Sequence, residues 1–544
     1  MMRDQWRKIA QWFEHRKLSP LVSLAYGACV AAFVWTFCQF YLPGKGFTYL
    51  ITFGARLEDS RLSKVRKLDY YVEKGSDGYD AQYYAQIAMD PSLQNKQLRN
   101  AVDSLPYRAR RILLPALAHL FGWGEPAAIL QVFALQNAIA WLLLAGVLLH
   151  WFPPRTWEDL LRWAGVLFSF GLCVSVRNAL TDGPSLLLIA AGVWLIERNR
   201  PNWGTAVLAL SGLAKETNLL GAASFAPQAF SWRAWGAAAV RGTLVATPLI
   251  FWLAYISLRV GPAADMGARN FALPFVSYVH KGREVLDTLR ETTAEAPGPL
   301  WSLLMMIALT AQFLFLALRP TWRETWWRIG ASFALLMVFL GDAVWEGYPG
   351  AASRVLLPMQ LAFNVLVPRG RGWVTLLVIG NLTMLGAASV WKAPLSEGVE
   401  FGGSSRLLEN STGTSFQVRF GREWHQTERG GSGFWTWSPG DAALIVTNPH
   451  DQAAVARLRL MLTSTTSRVV RLIVNDVTVW QASVTPRSQI SAVLADVVLQ
   501  PGENRFSFET DTPAVVVPPD PRTLAFALHN FRIEVQRLVP AERP

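Results

Sequence analysis

The chain has 544 residues, 51% of them hydrophobic and 17% charged, with 24 Trp and a formal net charge of +12. In a soluble protein that charge suggests a nucleic-acid partner, but here much of it falls in short loops between long apolar runs, so none is expected. No Walker loop, dinucleotide glycine fingerprint, His-x-x-x-His or Cys-x-x-Cys pair is present, which excludes a nucleotide-driven pump and offers no metal-ligand spacing; the three cysteines, Cys29, Cys38 and Cys173, imply no disulfide framework.

Leu21–Leu42 is the first apolar run, long enough to cross roughly 30 Å of hydrocarbon at about 1.5 Å per residue. It is too long for a signal-peptide core and is read as an anchor. Further runs follow at Pro126–His150, Trp163–Leu180, Gly183–Ile196, Trp235–Leu258, Pro299–Leu318, Trp326–Gly341, Ala351–Val367 and Trp373–Val390. The run at 183–196 is short and needs its flanks. Trp203–Phe230 is interrupted by Lys215-Glu216-Thr217-Asn218 and is predicted as two short helices forming a hairpin. One soluble globule does not bury so many runs, so residues 1–391 are expected to form a polytopic α-helical membrane domain of about 11 transmembrane helices.

Lys and Arg in the short loops set an orientation. The basic amino terminus (Arg3, Arg7, Lys8, Arg16, Lys17) is expected in the cytoplasm. Counting spans from it puts Arg155–Arg162, Arg198–Arg200, Arg233–Arg241, Arg319–Arg328 and Arg369–Arg371 on the same side, and the carboxyl-terminal region outside. The first loop, 43–111, then lies outside with Asp69, Asp77 and Asp80. So do Arg177 and Asp182, the hairpin tip Lys215-Glu216, the loop 260–297, and Asp342, Glu346 and Arg354. Ionisable groups at membrane depth are costly unless paired or hydrated, so their convergence on one face points to a polar cavity; the competing reading is that each caps a helix end.

Composition changes after Val390. Residues 392–414 are rich in Gly, Ser, Glu and Asn and read as a linker. From 415 to 539 short alternating strands are predicted: Ala442–Thr447, Ala456–Leu462, Val469–Val474, Val477–Val484, Ile490–Val493, Arg505–Glu509 and Leu524–Val535. Asn475-Asp476 marks a hairpin and Pro501-Gly502-Glu503-Asn504 a turn. This is an all-β sandwich on the extracytoplasmic side, jelly-roll-like. Trp424, Trp435 and Trp437 are either core residues or a stacking surface for sugars, which would make the domain carbohydrate-binding-like.

Ser76-Asp77-Gly78-Tyr79-Asp80-Ala81-Gln82-Tyr83-Tyr84-Ala85-Gln86-Ile87-Ala88 is the most informative stretch. Ala81–Ala88 is predicted as a helix that Asp80 or Asp77 caps, with Tyr83, Tyr84 and Ile87 on one face toward the membrane interface. Tyr79 to Ala88, followed by Asp90-Pro91 and by Tyr107-Arg108-Ala109-Arg110-Arg111-Ile112-Leu113-Leu114-Pro115, resembles the first-loop signature of GT-C glycosyltransferases. It is similar to that of GPI mannosyltransferases and related bacterial membrane proteins, where Trp/Tyr-Asp-Gly-x-x-Tyr-x-x-Ile-Ala precedes an Arg-rich, Pro-containing stretch. Position 81 is Ala where that pattern usually has Gly, and the likeness covers the first loop, the other spans matching only in topology.

The resemblance implies an inverting enzyme of the bacterial inner (plasma) membrane that moves a sugar from a polyprenyl-phosphate donor to a glycan, lipid or protein acceptor. It implies Asp80 as general base, with Asp77 helping to position either the acceptor or Asp80. A carboxylate suits that task because an acceptor hydroxyl becomes a useful nucleophile only as its proton is accepted. The lipid-phosphate leaving group needs cations, for which Arg354, Lys215, Arg110 and Arg111 are the candidates. Glu346, Glu216 and Asp182 orient those cations or bind sugar hydroxyls. No cofactor is required; Asp77 and Asp80 leave open a shared divalent cation. The alternatives from other classes are a transporter or flippase of lipid-linked saccharides, and a non-catalytic membrane scaffold displaying the β-sandwich; only one broken segment, 203–230, is present, where transporters carry repeats.

Overall fold

Long apolar helices form where a cap or an N-terminal proline starts them and nothing interrupts the backbone. The computed structural model describes residues 18–42, 44–73, 76–229, 231–261, 268–291, 298–392, 398–430, 433–486, 488–518 and 520–539. The basic amino-terminal cluster from Arg3 to Lys17 lies outside them, as do parts of the loop 260–297 and of the 392–414 segment. The chain divides into two compact units: a helical one, to 393, and a β-rich one from 394 that also includes Gly54–Arg56 and Val72–Asp77.

In the helical unit Pro20–Cys38 starts on Pro20 behind a Ser19 cap, whose hydroxyl accepts from the Val22 N–H at 3.4 Å. Pro126–Leu148 also starts on proline, Trp232–Arg259 runs for 28 residues through Pro248, and Gly298–Leu318 has 21. Among the described residues these four are long and apolar enough to cross a membrane, and a fifth is counted if Trp157–Leu167 and Phe170–Arg177, bent by 46°, make one span. The expected eleven is therefore corrected. Hydropathy registers apolar residues whether or not the helix continues, and here it is interrupted repeatedly. The run at 163–180 breaks where Ser169 caps a new helix, 351–367 breaks at Leu356 ahead of Pro358, and 373–390 ends its helix at Gly380.

The 203–230 segment is two helical pieces. Pro201–Ala214 stops where Lys215 turns extended (φ −160°, ψ 130°), and Glu216–Phe225 continues as a 3₁₀ segment, unusually long for that geometry. A Cβ added at Gly212 would sit 3.2 Å from Leu219, and one at Gly221 3.2 Å from Leu208, so the pieces run antiparallel as the predicted hairpin, with Lys215 at its tip. Buried Arg328 donates to the carbonyls of Ala223 and Ser224 at 3.1 and 3.0 Å, satisfying the end of the 3₁₀ segment.

Several basic loops meet at one end of this unit. Glu197 accepts from the Trp151 indole at 3.0 Å and lies 3.1 Å from His150; Arg369 reaches the Trp151 carbonyl at 3.2 Å and Asp159 at 3.1 Å; Trp151 packs edge-on to Trp326. Asp182 begins the 16-residue helix that Glu197 ends, about 24 Å away at ~1.5 Å per residue. Asp182 and these loops thus occupy opposite ends of the unit.

Thirteen of the fifteen strands among the described residues follow residue 394. In the first loop β1 (Phe53–Gly54) and β2 (Val72–Glu73) pair with each other. One larger sheet has the order β10 (Val477–Val484), β9 (Arg468–Val474), β12 (Gly502–Thr510), β7 (Ala442–Asn448), β4 (Gln417–Phe420). The other has the order β11 (Ile490–Leu499), β8 (Ala453–Ser464), β15 (Phe526–Val539), β6 (Gly433–Ser438), β5 (Thr427–Gly430). The linker reading of 392–414 is corrected by β3 (Val399–Gly402), which pairs in parallel with Phe531–Glu534 of β15. Its alternating burial is too short to register as a strand beside so many Gly and Ser. A short pair, β13 (Val515–Val516) and β14 (Thr523–Leu524), completes the set. The β9–β10 turn is the expected hairpin, with Asn475 and Asp476 both at positive φ.

Leu444, Leu458, Leu472, Phe506, Phe508, Phe526 and Phe531 fill the space between the sheets, each fully buried; burial of such a side chain contributes ~1.5–3 kcal/mol. Trp424 belongs to this core at 2% exposure, its indole donating to Ala443 at 2.9 Å. Trp435 and Trp437 stand on the opposite face of β6, half-buried, with Trp435 stacked on His529. Trp424→Ala is expected to destabilise the sandwich by about 3–5 kcal/mol and Trp435→Ala by about 1 kcal/mol, measured by chemical denaturation of the full chain followed by near-ultraviolet circular dichroism.

Candidate functional site

Asp80 sits immediately before the helix Ala81–Ala88, where a capping carboxylate belongs, yet its side chain makes no capping hydrogen bond. It turns instead to Arg108, at 3.0 Å. Arg108 is fixed by a fork onto Asp103, its Nε at 3.0 Å and a terminal nitrogen at 2.7 Å. It also lies over the rings of Tyr83 and Tyr107 at 5.1 and 5.7 Å. Burial opposes the Arg108 charge, but the hydrogen bond to Asp103 and the fields of Tyr84, Asp80 and Asp103 outweigh it, holding its pKa above the already high arginine value. Asp80 thus faces a fixed, permanent cation.

Three further segments close a cavity of about 630 Å³ around this pair, within the range of small-molecule sites. The hairpin break contributes Lys215 and Glu216. The turn before Gly183 contributes Asp182, and the broken 351–367 run contributes Arg354. Asp182 joins the other two: Lys215 lies 2.5 Å from one of its oxygens and Arg354 3.4 Å from the other. Its turn is held from behind. Buried Asn137 donates to the Leu180 carbonyl at 2.5 Å and accepts from Ser175 at 3.2 Å, and the Ser175 hydroxyl accepts from the Gly183 N–H at 2.9 Å. Ala179, at φ 45°, reverses the chain.

Arg111 is oriented by Glu216 at 3.1 Å and by the Tyr84 hydroxyl at 3.0 Å. Arg110 rests over the Tyr107 ring at 5.5 Å and, among the described residues, has no carboxylate within ion-pair distance. Among the described residues, five cations (Arg108, Arg110, Arg111, Lys215, Arg354) line the cavity against three carboxylates (Asp80, Asp182, Glu216), an excess of two positive charges. Apolar lining comes from Phe271, Leu336, Leu340, Val344 and Val355.

Asp80, Asp182, Glu216, Lys215, Arg110, Arg111 and Arg354 are thus brought together from four stretches of sequence. Two candidates are not. Glu346 pairs with exposed Arg269 and lines a neighbouring cavity, and Asp77 is an exposed residue of the β-rich unit, 3.5 Å from Arg56. Those arginine partners leave Asp77 and Asp80 ill-suited to share a divalent cation, and among the described residues no group of three or more His, Cys, Asp or Glu is placed to hold one. Asp90 of the same motif is a turn residue, accepting from the N–H groups of Gln94 and Asn95 at 2.7 and 2.6 Å.

Three site residues escaped the sequence reading: Arg108 as the partner of Asp80, Asn137, and Tyr84. The face carrying Tyr84 and Ile87 is buried rather than turned to an interface, at 1% and 0% exposure. An arginine two residues after Leu105-Pro106 was the available signal for Arg108, whereas nothing in the sequence around Asn137 marks it. Removing a buried carboxylate from between two cations is far more costly than removing one whose side chain is 39% exposed. Asp182→Ala is expected to destabilise the helical unit by about 3–5 kcal/mol and Asp80→Ala by less than about 1 kcal/mol, read from thermal unfolding of the full chain in lipid nanodiscs. In comparisons with known proteins, no family model matches this chain, and no curated sequence does.

Proposed function

We propose that the chain is an integral membrane glycosyltransferase that transfers a sugar from a polyprenyl-phosphate donor to an extracytoplasmic acceptor with inversion. One observation carries the reading: a cavity that joins an accessible carboxylate, an excess of positive charge and an apolar wall. A donor of this class needs all three, because its phosphate is anionic, its tail is hydrocarbon and its transfer releases a proton. Four long apolar helices, with Trp232–Arg259 only 11% buried along its most apolar stretch, support residence in a membrane. The basic loops gathered at the end opposite Asp182 favour that end as cytoplasmic by the positive-inside rule, which supports an extracytoplasmic cavity.

In this mechanism Asp80 accepts the proton of the acceptor hydroxyl as its oxygen attacks the anomeric carbon. The bond from that carbon to the phosphate oxygen breaks on the opposite face, and the electron pair leaves with the lipid phosphate. Arg110, with no carboxylate partner among the described residues, and the remaining N–H groups of Arg111 receive the developing negative charge. Lys215 and Arg354, held by Asp182, add a fixed positive field. Of the four candidate cations, Arg110 thereby comes first as the direct phosphate contact. Arg108 fixes the direction of the Asp80 carboxylate, so it is a positioning residue.

Asp80→Asn is expected to abolish transfer from a polyprenyl-phosphate sugar while expression and membrane insertion persist; retained transfer would overturn the assignment. Arg110→Ala is expected to lower transfer by about tenfold to a hundredfold, the loss of one or two charge-assisted hydrogen bonds. If instead vesicles carrying the wild-type chain move labelled lipid-linked sugar between leaflets without forming product, the flippase alternative replaces this one.

A further inference from the structure

A second cavity of about 360 Å³ adjoins the first, sharing Ala343, Ala351 and Arg354 with it. Its other walls are different in kind. Tyr79 and Phe170 offer aromatic surface, Glu346 a carboxylate, and Gly347, Pro349 and Gly350 the surface of a turn. Its charges balance, one carboxylate against one cation, and that cation is already tied to Asp182. The main cavity has an excess of two positive charges. A phosphate has no reason to choose the smaller space, whereas a neutral, polyhydroxylated ligand does. Aromatic rings take the C–H faces of a sugar, and a carboxylate accepts from its hydroxyls.

Tyr79 connects the two spaces. It lines the smaller cavity, its N–H is fixed to the Thr52 carbonyl at 3.0 Å, and the next residue is Asp80. A ligand seated against Tyr79 therefore presents a hydroxyl toward the carboxylate that would take its proton. We infer that the smaller cavity is the acceptor pocket and that the acceptor is an uncharged saccharide, free or as the head of a larger glycan. This rests on the transferase reading above and narrows it, since the glycan, lipid and protein acceptors left open by the sequence reduce to a neutral sugar hydroxyl. Glu346, which is not part of the charged cavity, acquires its role here, with Arg269 holding it in place.

The test uses the full chain in lipid nanodiscs and a methyl glycoside bearing a photoreactive diazirine, with labelled peptides mapped by mass spectrometry. Labelling is expected within 79, 170–174 or 343–354, to be displaced by unmodified methyl glycoside, and to fall about tenfold in Tyr79→Ala and in Glu346→Ala. Tyr79→Phe, which keeps the ring, is expected to retain most of it, which separates a lost stacking surface from a misfolded loop. Labelling elsewhere, or labelling indifferent to these variants, overturns the pocket. A parallel arm measures polyprenyl phosphate binding by native mass spectrometry, expected unchanged in the same variants. If polyprenyl phosphate binds but the glycoside does not label, the acceptor pocket fails and the donor reading survives. If the glycoside labels as expected but polyprenyl phosphate does not bind, the pocket stands as a saccharide site and the donor reading fails.

Discussion

A charge buried among apolar helices has to be matched or hydrated, and the pairing of Asp182 with Lys215 and Arg354 meets that demand inside the helical unit. An unpaired ion there would carry a desolvation penalty of several kcal/mol. The local backbone conforms to the pairing. The hairpin gives up helical geometry at Lys215, the chain reverses at Ala179 before Asp182, and the 351–367 run breaks just after Arg354. Each break shortens a helix that the sequence would otherwise extend, and each delivers one charged side chain to the same place. The fragmented helices and the polar cavity are two expressions of one constraint.

The cavity divides its charges by how tightly they are held. Arg354 and Lys215 share a carboxylate, Arg111 has Glu216 and a tyrosine hydroxyl, Arg108 is shared between Asp80 and Asp103, and Arg110 is bound to no described carboxylate. Such a gradient suits a site that must attract an anion without collapsing around it, since the carboxylate-held cations supply field and Arg110 supplies contacts. It also gives Asp80 a fixed bearing. The residue sits at a cap position and forgoes the capping bond, and a carboxylate kept from a local backbone partner is available for chemistry.

Much of this was legible in the chain. Alternating patterns gave β7, β9 and β10 nearly to the residue, because a strand buried on one face must alternate. The hairpin tip was legible because Lys215-Glu216 interrupts an apolar segment where a charge has no reason to be unless it is used. Asp80, Arg110, Arg111, Glu216 and Arg354 were legible as chemistry-bearing types in an apolar chain. The span count was not, since hydropathy says nothing of where a backbone bends, and Ser169, Lys215 and Leu356 bend it. Nor was β3, whose partner strand lies more than a hundred residues away. Glu346 and Asp77 were drawn into the site by residue type alone; their arginine partners, Arg269 and Arg56, are set by folding.

The account stands or falls on where a donor's phosphate goes. An experimental structure of the full chain bound to a non-hydrolysable polyprenyl-phosphate sugar analogue measures this directly. The account predicts the phosphate within hydrogen-bonding distance of Arg110 and Arg111, the hydrocarbon along Phe271, Leu336 and Leu340, and the anomeric carbon open to attack from the side of Asp80. A phosphate bound away from these arginines, or a sugar turned so that Asp80 faces the phosphate itself, would contradict it.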